Sequence, residues 1–104
     1  MSIKNSANVP SAPLKLVINA EAFDAKIRKR AMYMIKKELI AKQLTTNEKI
    51  KSSNTTLTAT ITNTDVTEAD MLYMEYIDPI LVDLGIELED EKVFYAKDSL
   101  TIKP

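Results

Sequence analysis

The segment Thr55-Thr56-Leu57-Thr58-Ala59-Thr60-Ile61-Thr62 decides how the chain is read. Leu57, Ala59 and Ile61 alternate with Thr56, Thr58, Thr60 and Thr62, and on a strand side chains two apart share a face. One face is therefore apolar and the other hydroxylated, which predicts a strand buried on one side and wet on the other. The sheet that holds it needs a second layer on the apolar side. The threonines themselves carry no function. Threonine is a good strand former with a solvent-tolerant side chain, and an ice-binding surface would need several such strands. Only a position at the sheet edge would open this strand to addition by a partner.

Working outward, Lys49-Ile50-Lys51 is expected to pair with this strand through Ser52-Ser53-Asn54-Thr55 as a hairpin. Upstream, a helix is predicted over Ala20–Leu44. Phe23, Ile27, Ala31, Met34 and Ile35 recur on one of its faces. Glu21 and Asp24 fall in its first turn and Lys42 in its last, complementing the helix dipole, and Thr45-Thr46-Asn47 ends it. Leu14-Lys15-Leu16-Val17-Ile18 reads as a strand closed by Asn19. Residues 1–13, rich in Ser, Asn, Ala and Pro, read as an extended or flexible arm.

Downstream, Thr67-Glu68-Ala69-Asp70 approximates a capping box, with Val66 and Met71 placed as a hydrophobic staple. A second helix is predicted to start at Thr67. Pro79 should interrupt it, since proline cannot donate to the preceding turn and clashes with it. Asp78-Pro79 could equally open a short new helix, with Gly85 at its C-cap. Lys92–Ala96 and Ser99–Ile102 are expected to form a hairpin over Lys97-Asp98. The order is β-α-β(β)-α-β-β. The expected fold class is α+β, with two helices on one face of a small, mainly antiparallel sheet of four or five strands. Residues 14–104 form a single domain and 1–13 its arm.

Composition excludes several chemistries. The chain has no His and no Cys, which removes an imidazole base, a thiolate nucleophile and a structural zinc site. A single Gly leaves no phosphate-cradling loop. The acidic run Glu87, Glu89, Asp90, Glu91 lacks the spacing and turn glycine of a calcium loop. No catalytic residue, cofactor or metal ligand is assigned, and no small-molecule substrate is inferred. No apolar run is long enough for a membrane span or a secretory core. The expected location is the cytoplasm, or an assembly built there such as a virion.

Charge is distributed unevenly. Residues 65–91 hold ten carboxylates and no Lys or Arg, while residues 26–51 hold nine cations against Glu38 and Glu48. Winding the first helix at about 100° per residue gathers Lys26, Lys29, Arg30, Lys36 and Lys37 on one side, with Tyr33 and Ile40 among them. The same winding places Tyr73, Tyr76, Ile77, Ile80, Leu81 and Leu84 on the core face of the second helix. Glu68, Glu75 and Asp83 lie opposite, with Met71, Leu72 and Val82 among them. Apolar residues inside a charged rim are the anatomy of an interface. Opposite charge on two patches permits head-to-tail association of copies, or pairing of the two helices within one molecule.

The functional expectation is a non-enzymatic interaction protein that binds another protein or copies of itself. It would act as a small assembly subunit, adaptor or inhibitor, and a virion or phage accessory role is an analogy of size and composition. Its contacts are expected at Tyr33, Ile40, Met71, Leu72, Glu75 and Val82, together with the arm. The alternative is a nucleic-acid-binding module using Lys26, Lys29, Arg30, Tyr33, Lys36 and Lys37 against a phosphate backbone.

Overall fold

A computed structural model describes residues 13–104, so the arm expected over residues 1–13 falls almost wholly outside the described residues. The elements are β1 (Leu14–Asn19), α1 (Ala25–Ala41), β2 (Ile50–Ser52), β3 (Thr56–Ile61), a second helix α2 running from Ala69 to Asp83, β4 (Val93–Tyr95) and β5 (Ser99–Ile102). The five strands form one sheet in the order β2-β3-β1-β5-β4. β1 is antiparallel to β3 and β3 to β2; β1 is parallel to β5, and β4 is antiparallel to β5. The fold is α+β with a mixed, mostly antiparallel sheet, as the segment pattern predicts.

Two crossovers build it. β1 and β2 run the same way with β3 between them, so α1 bridges parallel strands. β3 and β4 also run the same way, and α2 bridges them in the opposite lateral direction. Right-handed crossovers then place both helices on one face of the sheet, where α1 packs against the C-terminal part of α2. Beneath them Leu14, Leu16 and Ile18, Leu57, Ala59 and Ile61, and Leu100 and Ile102 point into the core. Strand alternation sends their neighbours to the outer face. There the register lines up Lys51, Thr58, Val17, Thr101 and Phe94 in a row across all five strands.

The threonine strand is β3, an interior strand flanked by β2 and β1, so it offers no edge to a partner. Among the described residues the edge strands are β2 and β4, each three residues long. Each follows a 3-10 turn whose carbonyl takes the first edge N–H, Ile50 to Asn47 and Val93 to Asp90. Short, partly engaged edges resist strand addition.

The first helix is shorter than predicted. Asp24 is its N-cap, accepting from the Lys26 N–H at 3.1 Å. Glu21 lies in the preceding turn, where its own N–H donates to the Asn19 side chain. Lys42 is the C-cap residue rather than part of the last turn. The buried stripe is Ala31, Met32, Ile35 and Leu39, while Ile27 is exposed and Phe23 and Met34 only flank the core. Phe23 belongs to the turn before the helix, and the face turned to the sheet is centred on Ala31, Ile35 and Leu39, which leaves Ile27 outside it.

Both helices end in a Schellman motif. In α1 the Leu44 N–H donates to the Leu39 carbonyl and Gln43 to Ile40; in α2 Ile86 donates to Leu81 and Gly85 to Val82. The pivot residue has positive φ in each, 60° at Gln43 and 75° at Gly85. After α1 the chain docks on the end of β3. Thr62 and Asn63 donate to the Leu44 carbonyl, and the buried Thr45 hydroxyl donates to Thr60.

α2 departs from the sequence reading at its start and follows one of the two alternatives at Pro79. It starts at Ala69 after Glu68, with no side-chain cap bond, so the capping box at Thr67–Asp70 does not form. At Pro79 the alternative reading holds: Asp78–Asp83 is an α-helical segment of its own with Pro79 in its first turn and Gly85 just past its end, although the chain stays helical across the junction. Ala69–Leu72 and Asp78–Asp83 are α-helical, and Tyr73–Ile77 between them is π-helical. The Asp78 N–H reaches back five residues to the Tyr73 carbonyl. A wider turn just before Pro79 moves the carbonyls that its ring would otherwise strike. It also resets the helical phase, with consequences for the surface.

Candidate interaction surfaces

The exposed side of α1 is assembled from residues of one helix. Lys26, Lys29, Arg30, Tyr33 and Lys37 are exposed, with Tyr33 retaining 64% of its surface and Ile40 37%. Lys36 is half-buried at the border of the same face. The buried stripe explains this placement, since Ala31, Ile35 and Leu39 fix the opposite side of the helix against the sheet. Among the described residues, Arg28 is the only cation of α1 whose side chain makes a hydrogen bond, a long one to the Glu21 carbonyl at 3.5 Å. The other cations are left to solvent around an exposed aromatic ring. A phenol held among ammonium and guanidinium groups offers a partner stacking, cation–π and ionic contacts together.

The acidic patch expected on α2 changes composition. Leu72 is 0% exposed and belongs to the core, so it contributes no surface. Met71 is half-buried and packs against the core. Both assignments assumed an uninterrupted α-helical phase. Across the π-helical section, residues five apart share a face, and Leu72 and Ile77 both turn fully inward. Val82 and Glu75 are exposed as expected. Met74, which uniform winding does not single out, is the most exposed large apolar residue described, at 66%. Met74, Glu75, Pro79, Val82 and Asp83 are thus the exposed residues of the outer side of α2.

A further surface was missed in the sequence. At the free end of β4, Tyr95 is 52% exposed and its ring meets Tyr73 of α2 edge-on, with centroids 6.3 Å apart and planes at 82°. Beside Tyr95 a groove of about 630 Å³ is lined by Glu68, Ala69, Asp70, Tyr95, Ala96 and Lys97. The Tyr73 hydroxyl donates to Asp78 at 3.5 Å. Burial, reinforced by the negative charge of Asp78, pushes the Tyr73 hydroxyl up to about 12. Tyr95 is raised in the same direction, by burial and then by Asp70, Asp90 and Asp78. These carboxylates make the surroundings of the tyrosine pair electronegative. The signal in sequence would have been the phase shift at Pro79, which puts Tyr73 beside the last hairpin.

No group of three carboxylates among the described residues is close enough to hold a metal ion. No described helix is long and apolar enough to cross a membrane. Comparison with protein-family models, with curated proteins and with solved structures found no match to this chain.

Proposed function

We propose that the protein is a non-enzymatic interaction protein, a small assembly subunit, adaptor or inhibitor, and that the exposed face of α1 is its principal contact surface. The observation that carries this reading is Tyr33. A ring left 64% exposed in the middle of Lys26, Lys29, Arg30 and Lys37 lies outside the core and its packed neighbours. Aromatic residues and arginine are enriched where interfaces gain most of their energy. The partner fitted to this face is an acidic protein surface. A cytoplasmic setting, or an assembly built in the cytoplasm, agrees with the absence of Cys from the chain.

The second reading keeps the same residues and gives them a phosphate backbone, with Lys26, Lys29, Arg30, Lys36 and Lys37 neutralising phosphates and Tyr33 stacking on a base. The strongly acidic 65–91 region counts against it by repelling a polyanion. Light scattering after size-exclusion chromatography, at about 50 and 500 mM salt, with absorbance at 260 and 280 nm, tests the two together with labelled oligonucleotide binding. Protein-only complexes that are lost in Tyr33→Ala and Lys29→Glu support the proposal. Oligonucleotide binding that weakens linearly in log salt, and is lost in the same variants, overturns it in favour of the phosphate reading.

A further inference from the structure

The groove beside Tyr95 has the chemistry to receive an organic cation. Its floor and walls carry an aromatic ring, two alanines and the carboxylates of Glu68 and Asp70. Tyr73 meets that ring in a T-shaped contact. Asp78 and Asp90 add negative charge at longer range. A bare divalent ion is poorly served, because no three carboxylates converge among the described residues. An ammonium or guanidinium group on an apolar stem is well served, since ring face, methyl groups and carboxylate satisfy its parts separately. Lys97 at the rim opposes the binding of any cation there.

The molecule presents such cations elsewhere on its own surface. Lys29 and Lys37 stand one helical turn before and after Tyr33 on the exposed face of α1, with their charges free for an outside partner. Within one molecule these lysines lie on the side of α1 opposite its buried stripe, facing away from the sheet that carries Tyr95. The α1 face is cationic and the groove carries Glu68 and Asp70, so the surfaces complement each other in charge. They do so between molecules.

We infer that the groove lined by Glu68, Asp70 and Tyr95 seats the exposed face of α1 from a second copy, with the Lys29 or Lys37 ammonium against the Tyr95 ring and the Asp70 carboxylate. The inference rests on the proposed role of α1 and names its partner. The contact is heterologous, using different surfaces on the two copies, so it propagates until a ring closes or a filament extends.

Two variants that each keep one surface test it. Asp70→Lys spoils the groove and leaves α1 intact; the double variant Lys29→Ala, Lys37→Ala spoils α1 without creating a charge that the altered groove could pair, and leaves the groove. All the substituted side chains are exposed, and circular dichroism checks that each variant is folded. Wild type is expected to show masses above the monomer that rise with concentration and fall with salt. Each variant alone should be monomeric, and their equimolar mixture should give a 1:1 dimer and nothing larger, because only one productive contact remains. Lys97→Ala should strengthen wild-type association. A wild type that stays monomeric up to about 0.5 mM at low salt, a regime where only contacts weaker than mM would escape, overturns the inference. So does an oligomer that survives in either variant, or a mixture that stays monomeric. A monomeric wild type whose α1 face still binds another protein, lost in Tyr33→Ala, would overturn only this inference and leave the proposed function standing.

Discussion

The two Schellman motifs make a matched pair from which a stability change can be worked out. Both pivots have left-handed φ, but one is a glycine and the other is Gln43. A left-handed conformation costs an L-residue about 1–2 kcal/mol. Replacing Gln43 with glycine removes that cost, and the freer unfolded chain takes back about 0.4–1 kcal/mol. The exposed Gln43 side chain makes no hydrogen bond among those described, and the carbonyl that accepts from the Asn63 amide at 3.1 Å belongs to the backbone and survives. Gln43→Gly should therefore stabilise the protein by about 0.5–1 kcal/mol. Gly85→Ala should do the reverse by a similar amount, through backbone strain alone, because a Cβ at Gly85 meets nothing within 4 Å. For a domain of this size such changes move Tm by roughly 2–8 °C, upward for Gln43→Gly and downward for Gly85→Ala. Urea and thermal unfolding followed by circular dichroism measure both. If Gln43→Gly is neutral or destabilising with an unchanged urea slope, the strain assigned to that turn is not present and the reasoning fails.

Other outcomes are expected from the same structure. Leu72→Ala should cost about 2–5 kcal/mol as a core truncation, whereas Val82→Ser should stay within about 0.5 kcal/mol; equal effects in denaturant unfolding would mean that the π-helical phase is wrong. Thr45→Val should cost roughly 1 kcal/mol by removing the hydroxyl from the Thr60 carbonyl, and a variant as stable as wild type would refute that bond. In an absorbance titration of tyrosinate, the component near 12 should vanish in Tyr73→Phe and shift down in Asp78→Asn, remaining above 10 because burial is the larger cause. The Tyr73 hydroxyl binds its proton more tightly in the folded state. Its contribution to stability is therefore intact below about pH 10 and lost as pH climbs toward 12, a loss that Tyr73→Phe should abolish.

The sheet was legible because its signals are local. Alternation in Thr56–Ile61, the apolar run at Leu14–Asn19 and the final hairpin each carry their own local signal. The layer arrangement was expected from the element order, whereas the strand order that makes both helical connections crossovers was seen only in the structure. The basic side of α1 was legible as well, since Lys26, Lys29, Arg30, Tyr33 and Lys37 fall together for any straight helix. Leu72 and Met71 were not, because their facing depends on the phase of α2, and Pro79 altered that phase by widening a turn instead of ending the helix. The tyrosine groove was hidden for another reason. It joins residues 68–70 to 95–97 across two elements, and no spacing within one segment reports such a meeting.

The parallel pairing of β1 with β5 sets the order in which the molecule can be finished. Leu16 stands beside Leu100, so the central strand receives one of its two neighbours from the far end of the chain. Until Ser99–Ile102 is in place, the half-built sheet keeps an open side along Leu14, Leu16 and Ile18, next to the apolar face of α2. Such long-range closure slows folding, and it prolongs the life of a species with exposed apolar surface. On the ribosome, β1, α1, β2 and β3 can assemble early, but completion waits for the last strand to emerge. A refolding experiment should show an early phase reporting on α1 and a later one reporting on the Tyr73–Tyr95 contact, which forms only when the final hairpin docks.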